Sequence, residues 1–146
     1  MAAKRILYAD DDDNDIKLML IAMERNGMAD DVQAVCDGAE ALDYLRQSGE
    51  FAGRPPGDPK VVMLDLKMRM LDGFDTLAKI RADPALRHIP VVILSSSAQR
   101  KDMSRCYGLG ANAYVVKPHN LDDLTEALRH IAAFWVLTNN YPERDR

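Results

Sequence analysis

Cysteine is scarce: Cys36 and Cys106 are the only two in a chain of 146 residues. They lack the spacing of a metal site and are too few for a disulfide framework. Buried, reduced thiols in a cytoplasmic protein are the reading that remains. Long apolar runs are missing too, and none approaches the roughly 20 residues that a membrane-spanning helix needs. The opening Met-Ala-Ala-Lys-Arg leads straight into a strand pattern, with no apolar leader segment. No cluster of lysine and arginine appears, and the formal charge is −4. A binder of nucleic-acid backbones is therefore not expected. Long-period repeats, low-complexity tracts, GxGxxG and GKS/GKT loops are absent as well, which argues against a dinucleotide or nucleoside triphosphate site. One cytoplasmic domain over residues 1–146 is the expectation, long enough to bury a real core.

The richest stretch is Lys60 to Phe74, KVVMLDLKMRMLDGF. Its apolar run Val61-Val62-Met63-Leu64 ends on an acid, Asp65, before a short loop and a helical pattern. A run apolar on both faces reads as a strand buried inside a parallel sheet. A carboxylate at the end of such a strand is costly unless water, a cation or a base meets it. Ligands of open α/β sheets bind at that end. Asp65 reads either as a nucleophile or as an acid capping the next loop.

Around it, strand and helix alternate. Arg5 to Ala9 reads as a strand running into Asp10-Asp11-Asp12-Asp13. Ile16, Met19, Leu20 and Met23 then share one helical face, closed by Asn26-Gly27. Val32 to Cys36 is a weaker strand, and Ala39 to Gln47 a helix. Ser48 to Pro59, rich in glycine and proline, reads as a surface loop. Phe74 to Ala82 is helical, Val91 to Leu94 a strand ending on Ser95, and Gln99 to Tyr107 a polar helix. Ala113 to Val116 is the last strand, followed by Lys117-Pro118. Leu121, Leu124, Leu128, Ile131 and Trp135 mark an amphipathic last helix. This alternation predicts a five-stranded, doubly wound, flavodoxin-like parallel sheet with strand order 2-1-3-4-5.

In such a sheet the strand C-termini share one rim, so Asp10, Asp11, Asp65, Ser95 and Lys117 converge. Crowded carboxylates disfavour joint ionisation, so positive charge is required. A hard divalent cation fits, and Mg²⁺ suits a site with one or two carboxylates and phosphate oxygens as ligands. Asp12, Asp13 and Asp15 read as a solvated cap of the first helix. With Mg²⁺ present, Asp65 can attack phosphorus and carry an acyl phosphate, while Lys117 and the Ser95 hydroxyl bind phosphoryl oxygens. The sequence also allows a surface role for Lys117, and a cis peptide before Pro118 that would help aim its ammonium.

The motifs ILYADDD, VVMLDLKMRMLDG, PVVILSSS and GANAYVVKP resemble those of bacterial response-regulator receiver domains, CheY-like in type, over about residues 4 to 136. The resemblance implies that Asp65 is the phosphoacceptor from a sensor histidine kinase in a two-component system. It also implies that Asp11 is a direct Mg²⁺ ligand, Asp10 acts through metal-bound water, and the Lys67 backbone carbonyl completes the protein ligands. Ser95 would be the hydroxyl switch and Tyr114 its inward-turning aromatic partner. The insertion before Val61 and the ending AAFWVLTNNYP look similar to the small stand-alone receivers paired with bacterial and cyanobacterial phytochromes. Two residues depart from the family pattern. Arg69 stands where receivers usually have proline, and Lys67 replaces an amide or small polar residue. A lysine has no acceptor to orient an attacking water, so slow loss of the phosphoryl group is expected.

With no effector domain expected after the last helix, the output is a contact. His130, Phe134 and Leu137 form a second stripe off the sheet-facing side, with Tyr141 beyond it. A homodimer through this helix is expected, with residues 137–146 at the interface. A tail folded back over its own domain is the alternative. His88, His119 and His130 read as structural or exposed. A relay module, a phosphate sink and a haloacid-dehalogenase-type phosphatase compete as functions. The last needs a second acid two residues after the nucleophile, where this chain has Lys67.

Overall fold

The computed structural model describes residues 3–143. Five parallel strands form one sheet: β1 (Ile6–Ala9), β2 (Val32–Val35), β3 (Val61–Leu64), β4 (Val91–Ser95) and β5 (Ala113–Val116). Their order is β2-β1-β3-β4-β5, as the alternation predicts. The crossovers carry α1 (Asp13–Arg25), α2 (Gly38–Arg46), α3 (Gly73–Ala82), α4 (Arg100–Gly108) and α5 (Leu121–Ala132). Short polar side chains start most of these helices. Asp12 accepts hydrogen bonds from the Asn14 and Asp15 amides, Asp37 from Glu40, Asp72 from Asp75 and Asn120 from Asp123. Each such cap is worth about 1 kcal/mol.

Strand residues alternate between the two faces of the sheet. Leu7, Val62, Leu64 and Ile93 pack against Leu45, Leu77 and Ile80 on one face. Ile6, Tyr8, Met63 and Leu94 pack against Met19, Met23, Leu128 and Ile131 on the other. Burying each large apolar side chain contributes about 1.5–3 kcal/mol, so the central strands form a rigid base for whatever stands at their ends. No helix among the described residues is long and apolar enough to cross a membrane.

The structure corrects several expectations. Cys36 is exposed, not buried, because β2 stops at Val35 and the thiol already lies in the following turn. Cys106 is buried as expected. No peptide bond is cis among the described residues, Lys117–Pro118 included. Beyond α5 the helix continues as a π-helix over Ala133–Thr138. That wider turn shifts the inward position by one residue, so Val136 is buried behind Ile131 while Trp135 is only half-buried. Phe134 and Leu137 remain 50% and 67% exposed.

The chain then turns back. The Tyr141 hydroxyl donates to the Pro59 carbonyl at 2.6 Å, and Lys60 pairs with Glu143 at 2.7 Å. Tyr141 packs against the same core cluster as Leu45 and Leu77. It is therefore held by its own domain and leaves the outward-facing set. Of the expected interface segment 137–146, residues 144–146 lie outside the described residues.

Candidate phosphoacceptor and cation site

The rim where β1, β3, β4 and β5 end gathers the predicted residues. Backbone bonds fix their heights: Asp65 N donates to Ala9 O at 3.0 Å, and Lys117 N to Ser95 O at 2.7 Å. One carboxylate oxygen each from Asp10, Asp11 and Asp65 lies within 4.8 Å of the others. The Lys117 ammonium stands 2.9 Å from Asp10, 3.0 Å from Asp15 and 3.9 Å from Asp65.

Asp10 is fully buried. Its Oδ2 accepts from the Tyr8 hydroxyl at 2.6 Å and from Lys117, and its Oδ1 accepts from the Asp12 amide at 3.0 Å. Asp65 accepts from the Leu66 amide at 2.8 Å. Burial pushes its carboxyl up to about 6; Lys117 and the Leu66 amide oppose the rise, while Asp10 and Asp15 add to it. Burial alone lowers the Lys117 pKa, but Asp10, Asp65 and Asp15 outweigh it and the ammonium is held charged. Burial and the Asp10 charge raise the Tyr8 phenol far out of the physiological range, so it serves as a donor.

The acid trio fits a hard divalent cation: the ligands are oxygens and converge from the ends of two strands. The Lys117 ammonium lies within 4 Å of Asp10, Asp15 and Asp65, so one positive charge faces three carboxylates. Asp11 also has Arg69 Nε at 4.0 Å.

The β3–α3 loop is tightly turned. Met70 adopts φ +63° with 85% exposure, and Leu71 N donates back to Arg69 O at 2.6 Å. Gly73 makes this turn possible. A Cβ there would sit 2.3 Å from the Asp65 carbonyl oxygen and 2.8 Å from Leu66 Cα, both backbone atoms. Gly73→Ala is expected to lower the unfolding free energy by about 1–3 kcal/mol, read by urea titration.

On the other side, Ser95 is buried and its Oγ accepts from the Ser97 amide at 3.1 Å. The Tyr114 hydroxyl donates to the Ser97 carbonyl at 2.8 Å. The two predicted switch residues thus meet the same β4–α4 loop. Lys67 lies exposed at the rim, and His88, His119 and His130 are all exposed, His130 beside Glu126 at 3.2 Å.

Two site residues escape the sequence reading. Asp15, read there as a solvated cap, binds Lys117; its signal was its place one helical turn before the inward Met19. Tyr8 binds Asp10; its signal was the two-residue strand period that puts both side chains on one face, where a buried phenol needs a partner.

Known proteins resemble this chain in sequence and in fold. Response regulator Rcp1 of Synechocystis sp. is 33% identical over 139 residues, covering 95% of this chain and 93% of Rcp1. The crystal structure of the phosphorylated cyanobacterial phytochrome response regulator RcpA superposes with a TM-score of 0.86 at 38% identity, over 97% of this chain and all of that one. The Mn²⁺-bound form of Rcp1 gives a TM-score of 0.79 at 31% identity, over 94% of this chain and 97% of that one. Residues 6–129 match the response regulator receiver domain. With the rim carrying the acids, lysine and hydroxyl that its motifs imply, this chain belongs to the response regulator receiver domain family.

Proposed function

We propose that Asp65 accepts a phosphoryl group from the phosphohistidine of a sensor histidine kinase, and that the chain signals by altered protein contacts. The observation that supports this best is a strand-end carboxylate sharing one cup with two further acids and, at 3.9 Å, a buried ammonium. Asp65 Oδ2 forms a bond to phosphorus as the phosphorus–nitrogen bond to the donor imidazole breaks, and that electron pair stays on nitrogen. Lys117 and the Ser95 hydroxyl donate to the phosphoryl oxygens. Mg²⁺ held by Asp10, Asp11, Asp65 and the Lys67 carbonyl supplies, when bound, positive charge against those oxygens. Beyond its own phosphorylation and dephosphorylation the chain catalyses nothing, and it works in the cytoplasm. Likeness to RcpA supports a phytochrome-type kinase as donor. The test is transfer from a purified phytochrome-type histidine kinase carrying labelled phosphate: label moves to wild type and not to Asp65→Asn. Equal transfer to both overturns the reading.

The output surface we assign is the π-helical end of the last helix. Phe134, Leu137 and His130 are all exposed, and Phe134 stacks edge-on against Trp135 at 4.8 Å. Exposed apolar side chains on a helix that is already apolar on its inner face suit a second copy of the chain. Sedimentation of Phe134→Glu/Leu137→Glu is expected to show monomer where wild type is dimer. An unchanged state for the double variant contradicts this assignment.

A further inference from the structure

The ammonium of Lys117 has three protons to give, and two are already committed: one to Asp10 at 2.9 Å and one to Asp15 at 3.0 Å. The acceptor Asp65 is left at 3.9 Å, outside hydrogen-bond reach. The two holding acids differ in kind. Asp10 is buried and anchored by the Tyr8 hydroxyl and the Asp12 amide. Asp15 projects from the first turn of α1, its side chain is 35% exposed, and its carboxylate has no other hydrogen bond among the described residues. Of the two contacts, the one to Asp15 is the easier to release. A cavity of about 150 Å³ bordered by Tyr8, Asp15, Met19, Lys117 and His119 leaves the Asp15 side of the ion pair loosely packed.

We propose that Asp15 is a positioning residue that competes with Asp65 for the Lys117 ammonium, a latch that phosphoryl binding must release. The proposal rests on the phosphoacceptor reading above. Two consequences follow from electrostatics. The Asp15 charge withholds part of the lysine's attraction from the phosphoryl oxygens, and it repels those oxygens directly. Release also removes the ion pair that joins α1 to Lys117 at the end of β5, while Arg25–Asp122 and Asn26–Thr125 still hold the far end of α1 to α5. A partly exposed pair is worth about 1 kcal/mol, which corresponds to roughly fivefold in an equilibrium constant.

The test uses beryllofluoride, an unreactive stand-in for the phosphoryl group, titrated with Mg²⁺ present into wild type, Asp15→Asn and Asp15→Glu. Asp15→Asn removes the charge in nearly the same shape and is expected to bind about fivefold tighter. Asp15→Glu restores the charge and is expected to return to within about twofold of wild type. Unchanged or weaker binding by Asp15→Asn overturns the latch, as does an equal shift in both variants, which would mark a purely structural effect. A metal-free cycle separates this failure from that of the phosphoacceptor reading. In urea unfolding, Asp15→Asn and Lys117→Met should be non-additive, the second costing less once the first is made. Wild type that fails to bind beryllofluoride sinks the phosphoacceptor reading; additive variants in the metal-free cycle sink the latch.

Discussion

Asp65→Asn is expected to make the metal-free protein more stable at neutral pH while abolishing phosphoryl acceptance. The carboxyl is pushed up to about 6 from an ordinary 3.8, chiefly by burial, with Asp10 and Asp15 adding to the effect against Lys117. A carboxyl raised in the fold favours the protonated native state. Its ionised form carries no penalty below about pH 4, and the cost grows as pH rises through 6 and then levels off. Two pKa units correspond to ~3 kcal/mol. With residual solvent contact and the flanking ammonium, we expect a gain of about 1–3 kcal/mol for Asp65→Asn above pH 7. Below pH 4 the variant should gain nothing. Urea unfolding of both proteins across that range, in chelator, gives the comparison. Added Mg²⁺ should reverse the order, because a bound cation favours the ionised acid that Asn lacks. A pH-independent difference would mean that Asp65 is not confined as the geometry has it.

The second large effect is expected at Lys117. Its side chain is 11% exposed and answers the fully buried Asp10. In Lys117→Met, Asp10 keeps the Tyr8 hydroxyl and the Asp12 amide but loses its counter-charge. Removing one partner of a buried pair costs about 3–5 kcal/mol, and metal-free Lys117→Met is expected to unfold that much more easily at neutral pH. Mg²⁺ should recover part of the loss by supplying charge to the same acids. Phosphoryl uptake should nevertheless stay about a hundredfold slow, the usual consequence of losing a donor aimed at developing charge. A loss under about 1 kcal/mol would show that Asp10 is neutralised by something other than Lys117.

How the sequence foretold these residues follows from their place in the fold. Asp65, Ser95 and Lys117 each follow a fully apolar or β-branched run, so the strand ends are marked by a sudden change of polarity. Parallel alternation then forces those ends onto one rim, and the weak β2 falls at the edge as its half-buried pattern suggests. Asp15 was hidden among neighbours that do cap α1: Asp12 takes that role, Asp13 faces solvent, and only their packed geometry separates the three. Tyr8 was hidden by its apolar ring, which suits a buried strand whether or not the hydroxyl has work to do. The π-turn after α5 has no sequence marker comparable to proline, so Trp135 is only half-buried where full burial was expected and Val136 is buried beside it. Tyr141 looks free in sequence because its partner, the Pro59 carbonyl, lies in the insertion 82 residues away.

The central claim is that acids from β1 and β3 and the lysine after β5 form one cation-dependent acceptor. Intact mass after incubation with acetyl phosphate measures it most directly. Wild type should gain a single phosphoryl mass with Mg²⁺ and none with chelator, and Asp65→Asn should gain none in either. A phosphoryl adduct on Asp65→Asn, or one on wild type that ignores the chelator, would contradict the account.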